Sequence, residues 1–165
     1  MKIAVILLVS TLAASFAIAG VSACETRTPG YWKNHPNAWP TITITDSRWA
    51  LTPAFEFTMN HQDAMDILKM PVKGDASINL QQKVIAASLS ILSDPNIGWN
   101  NDPRYSPEAL ALGGLPGMVN AANTLLNDNL GPWTPGSAAD LSGVRTEGLA
   151  LASQIDYWLN FFDVG

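Results

Sequence analysis

The chain has 165 residues, of which only 14% are charged, and its formal net charge is −5. That length allows one domain with a real core. The acidic balance and the lack of any basic patch exclude a nucleic-acid partner, and the sparse charge with many Asn, Thr, Ser, Gly and Pro fits an extracellular surface domain.

The N-terminus reads MKIAVILLVSTLAASFAIAGVSAC. Lys2 forms a short positive start, residues 3–18 carry no charge, and small residues follow. This order predicts a signal peptide over residues 1–23, with residues 24–165 as a single exported globular domain. A retained helix is the other reading, although the run is marginal for a span of roughly 20 apolar residues. Val21-Ser22-Ala23-Cys24 also resembles a bacterial lipobox. Cys24 is the sole cysteine, so no internal disulfide can form and the thiol is free, intermolecular or modified. Cys24 is therefore the candidate lipidation site, and a lipid there is the one membrane contact the sequence suggests.

Next comes TRTPGYWKNHPNAWP, residues 26–40, the densest run of aromatics and turn residues in the chain. Tyr31, Trp32, Lys33, His35 and Trp39 are the candidate binding residues. Two readings compete. The rings are either displayed to a ligand or folded inward as a structural cap. Pro29-Gly30 and Asn34-His35-Pro36 are turn signals, and inward-folded rings would remove a large apolar area from water. Turn chemistry thus favours the cap, with Tyr31 and Trp32 buried, Lys33 snorkelling outward and His35 bonded to backbone.

Residues 41–45 (TITIT) and 54–58 (AFEFT) alternate apolar and polar side chains, which predicts a β-hairpin with a longish loop. Helices follow. Asn60 caps one through Met65, Ile67 and Leu68, stopped by Pro71 and Gly74. Asp75 or Ser77 opens a second, with Ile78, Val84, Ile85, Leu89 and Leu92 on one broad face, and Asp94-Pro95 ends it. Ser106-Pro107-Glu108 starts a helical turn. Residues 115–126 form another helix, with Met118, Ala122 and Leu125 in line. In the last helix Leu141, Val144, Leu151, Ile155, Leu159 and Phe162 recur at helical spacing, and Gly143 and Gly148 weaken its first half. The fold class is mostly α (α+β), a small helical domain with an N-terminal β-hairpin.

Signals for chemistry are sparse. No nucleophile elbow, P-loop, dinucleotide fingerprint or HExxH occurs. His35 and His61 are the two histidines, and neither has the spacing of a zinc ligand set. Asp63 and Asp66 share a helix face and read as solvated. The Asn- and Asp-rich residues 93–102 suit Asx turns and lack an EF-hand's terminal Glu. No catalytic residue, metal ligand or cofactor is assigned. Of the six tryptophans, Trp158 belongs to the last helix, and Trp32, Trp39, Trp49, Trp99 and Trp133 fall in loops or strand edges.

Thr28-Pro29-Gly30-Tyr31-Trp32-Lys33-Asn34-His35-Pro36 resembles the GYWKNHP signature of secreted or surface-anchored bacterial proteins. Ile67-Leu68-Lys69-Met70-Pro71-Val72-Lys73-Gly74 and Ile85-Ala86-Ala87-Ser88-Leu89 resemble two further stretches of that family. Residues 151–160 loosely resemble its closing helix. The resemblance implies an exported domain with no established biochemical activity. Related sequences carry a histidine where this chain has Gln82, and a site shared with His35 would be half lost. A C-terminal sorting tail is also missing. The expected function is a non-enzymatic cell-surface or extracellular domain, adhesive or part of an extracellular assembly or filament, with cell-surface proteins, copies of itself or glycan as partners. The alternatives are a glycan-binding module using the loop tryptophans and a hydrolase with His35 as base.

Overall fold

The structure is a computed structural model and describes residues 26–40, 61–93 and 111–161. Helix accounts for 74% of it, and no strand occurs among the described residues. The expected hairpin, residues 41–58, lies outside them, as do Trp49, Trp99 and the turn at Ser106.

The first helix, α1 (Pro29–Asn34), has Pro29 at its start and Thr28 as N-cap, whose hydroxyl accepts from the Tyr31 N–H. A 3-10 turn (Pro36–Ala38) follows. Helix α2 (His61–Lys69) carries Asp63 in its first turn and Lys69 in its last, both favourable to the helix dipole. It buries Ala64, Met65 and Leu68. Gly74, at φ +83°, then turns the chain in the left-handed region that glycine tolerates.

Helix α3 (Ala76–Ser93) is the centre of the fold, packing against α1, α2, α4 (Gly114–Asp128) and α6 (Val144–Phe161). Its residues from Val84 to Ser90 are all buried. A helix enclosed on every side must be apolar or small all round, which is why Ala86, Ala87, Ser88 and Ser90 occupy its middle. The serine hydroxyls are satisfied along the helix: Ser88 Oγ donates to the Val84 carbonyl (2.7 Å) and Ser90 Oγ to that of Ala86 (2.9 Å). Ile85, Leu89, Leu151, Ile155 and Leu159 join one core as their spacing predicts, with Val144 packed at its edge. Lys83 pairs with Asp156 beside it, tying α3 to α6.

The last helix departs from expectation. Its periodic pattern suggests one helix from Leu141 onward, but the chain forms a separate short helix, α5 (Ala138–Leu141), before α6. Gly143, at φ +85°, makes the break. Leu141 consequently stands 84% exposed instead of joining the core stripe. Ser137 caps α5, accepting from the Asp140 N–H.

Candidate functional site

Residues 26–40 form a strap across one side of the bundle. It begins at Thr26, which is fully buried. The Thr26 hydroxyl reaches the carbonyls of Leu159 (2.9 Å) and Trp158 (3.4 Å) on α6. One residue on, the Arg27 N–H donates to Ser90 Oγ on α3 (3.0 Å). The same oxygen accepts from Trp32 Nε1 (3.4 Å). A single buried hydroxyl on the central helix thus holds the strap at two points.

Trp32 is 2% exposed and belongs to the core cluster. Tyr31, its neighbour, is only half-buried, less than expected, because it meets Trp32 edge-on (5.2 Å, 85°) at the margin of the core. The Tyr31 ring stacks on His35 (4.3 Å, 17°), and the Arg27 guanidinium lies 4.9 Å from its centroid. His35 is exposed. Its Nδ1 lies 2.9 Å from the Tyr31 carbonyl, which also accepts the His35 backbone N–H (3.0 Å). The ring contact is a hydrogen bond in the tautomer with the proton on Nδ1. His35 therefore closes the C-terminal end of α1, where carbonyls have no helical partner. Trp39 Nε1 donates to the Trp32 carbonyl (2.9 Å), and its ring lies against His61 of α2 (4.2 Å, tilted 38°). Lys33 points into solvent.

The structure thus brings together Tyr31, Trp32, His35 and Trp39, and adds Arg27, His61 and Ser90. It leaves Lys33 apart, and Cys24 lies outside the described residues. Ser90 gave no sequence signal, since one serine within a helix usually bonds its own backbone. The Tyr31 ring thus meets His35, Arg27 and the edge of Trp32, and the Trp39 ring meets His61. Among the described residues, no three His, Cys, Asp or Glu side chains stand close enough to share a metal ion.

Gln82 also has backbone partners. Its Nε2 donates to the carbonyls of Ile67 (2.9 Å) and Met70 (2.8 Å), closing the end of α2 onto α3.

A second polar locus joins α3 to the 129–137 loop. Asp75 Oδ1 accepts from the Ser77 N–H (2.9 Å), Ser77 Oγ (2.7 Å) and the Trp133 N–H (2.9 Å). Burial works to raise the Asp75 pKa, and the hydrogen bonds from Ser77, Trp133 and Ile78 outweigh it, holding the carboxyl below its usual value. Asp75 is thus the cap that opens α3. It also pins Trp133, which is fully buried and seated against Gly148 of α6.

Fold and strap together define a small helical bundle closed by its own N-terminal aromatic segment. No family model matches the chain, and neither a curated protein nor a solved structure does. No helix among the described residues is long and apolar enough to cross a membrane.

Proposed function

We propose that this chain is a non-enzymatic exported domain of the cell surface or extracellular space, related to the GYWKNHP-bearing bacterial proteins, and a component of an extracellular assembly or adhesive layer. In this reading residues 26–40 are structural. The observation that carries it is how the polar atoms of the signature are used. Trp32 Nε1 goes to Ser90, Trp39 Nε1 to the Trp32 carbonyl and His35 Nδ1 to the Tyr31 carbonyl. The His35 contact uses one of the ring's two nitrogens and holds the imidazole at the end of α1, so the ties of the two indoles to the fold are what support the structural reading. The Trp39 ring also meets His61 of α2, and the Tyr31 ring stacks on His35.

The test compares wild type with Trp32→Ala and His35→Ala for folding and for retention at the surface of producing cells. The reading expects surface retention to follow stability alone, with Trp32→Ala depleted and His35→Ala kept. A His35→Ala protein that folds normally yet loses hydrolysis of a polysaccharide or peptide would favour the hydrolase. Quenching of tryptophan fluorescence by a polysaccharide, abolished in Trp39→Ala, would favour glycan binding.

A further inference from the structure

The inner face of α6 holds Leu151, Ile155 and Leu159 in the core, against α3 and α4. On its outer face Thr146, Leu149, Ala150, Ser153, Tyr157 and Asn160 are all exposed, Tyr157 by 61%. A surface helix ordinarily turns charged side chains to water. This stripe runs about four turns without a charge, in a chain whose net charge is −5. Its spacing is specific as well. Thr146, Ala150, Ser153, Tyr157 and Asn160 follow one another at intervals of four, three, four and three residues. That is the period of a seam between two paired helices.

We propose that the outer face of α6 pairs with the same face of a second copy of this chain, antiparallel about a two-fold axis. Size and charge both select this partner and this direction. A two-fold midway between Ala150 and Ser153 puts small residues at the closest approach, and it sets Thr146 of each copy against Tyr157 of the other. Arg145 and Asp156 lie about three turns apart on one edge of the stripe. Antiparallel two-fold pairing brings like edges together, which leaves Arg145 and Asp156 of the second copy about 3 Å apart in height. The Asp156 side chain pairs with Lys83 of its own chain and is still 40% exposed, so it has room for a second cation. An acidic chain repels its own copies, and an uncharged face with a cation and an anion along one edge is where they meet at least cost. One helix face is smaller than the roughly 800 Å² per partner of a standard interface, so the pairing is weak in dilute solution and counts where copies are crowded. It supplies the partner that the extracellular-assembly reading leaves open, and rests on that reading for its setting.

The experiment is analytical ultracentrifugation of the protein recovered from producing cells, over a range of concentrations, for wild type and Ser153→Glu, with surface retention followed in parallel. Ser153 is exposed, so Ser153→Glu should keep the helix content and melting temperature of wild type while facing two carboxylates across the two-fold. Wild type should dimerise as concentration rises, and Ser153→Glu should raise the dissociation constant about tenfold or more. Mild oxidation of Ser153→Cys and Thr146→Cys, with the cross-links mapped by mass spectrometry, reads the direction. The Ser153→Cys thiols meet near the two-fold and should join each other, whereas those of Thr146→Cys stand about 16 Å apart along the axis and should not. Wild type monomeric at every concentration, or Ser153→Glu dimerising as well as wild type, would overturn the pairing. Thr146→Cys joined to itself would overturn the antiparallel direction. A monomeric wild type that is still retained at the surface would sink this partner and leave the assembly reading standing. Dimers lost in Ser153→Glu with retention unchanged would support the pairing and count against the assembly reading.

Discussion

Gly148 sits inside α6, where glycine costs about 1 kcal/mol relative to alanine. Its use follows from the Trp133 ring lying over it: a Cβ at this position would stand 2.6 Å from Cζ3 of that ring. Gly148→Ala therefore gains helix propensity but overpacks a buried indole, a strain of about 1–3 kcal/mol. The expected outcome is a net loss of about 1 kcal/mol in urea unfolding, and a more stable variant would mean that the ring moves aside freely. His35 belongs to the same scale. Its side chain is exposed and makes one hydrogen bond to a backbone carbonyl, so His35→Ala should cost about 0.5–1.5 kcal/mol. No activity should depend on it beyond that loss.

At the scale of elements, Asp75 holds the start of α3 and the loop carrying Trp133 with one carboxylate. Asp75→Asn should destabilise by about 1–2 kcal/mol near neutral pH. The pH dependence follows from the sign of the shift. The folded carboxyl titrates below the unfolded one, so its contribution is complete above the unfolded value and is lost as pH falls through the folded value. The stability gap between wild type and Asp75→Asn should therefore hold down to about pH 5 and narrow as the pH falls below about 4, and a gap independent of pH would contradict the cap. Ile155, fully buried on α6, should cost about 2–5 kcal/mol on change to alanine. A loss below about 0.5 kcal/mol is typical of a surface site and would show that α6 does not pack there.

These elements also show what the sequence made legible. The end of α2 and the start of α3 are legible from the stop at Pro71 and Gly74 and from Asp75 or Ser77 as the opening residue, because such signals act locally; of the two, the structure uses Asp75. Residues 151–159 declared their core face through period alone. The separation of α5 from α6 was missed because Leu141 and Val144 keep helical spacing across Gly143, and spacing does not register a left-handed turn. Trp133 read as a loop residue, and nothing local announced that Asp75 and Gly148 would enclose it. The strap was legible as a turn-bounded aromatic segment. Its anchor on Ser90 and its approach to Leu159 were not, since both are contacts between residues far apart in sequence.

At the scale of the molecule, the bundle is built around an α3 that is enclosed from Val84 to Ser90, and the strap supplies part of that enclosure through Trp32. The proposed export adds a prediction at this scale: the protein recovered outside the cell should lack residues 1 to about 23, and an intact mass equal to the full chain would contradict it. The central claim is that the residues 26–40 close the fold. Its most direct measurement is chemical denaturation of Trp32→Ala beside wild type, followed by tryptophan fluorescence and by helix content. The account predicts a loss of about 3–5 kcal/mol, the usual cost of emptying a buried aromatic site. A Trp32→Ala protein within about 0.5 kcal/mol of wild type would contradict it, and would place the indole in solvent as a displayed surface.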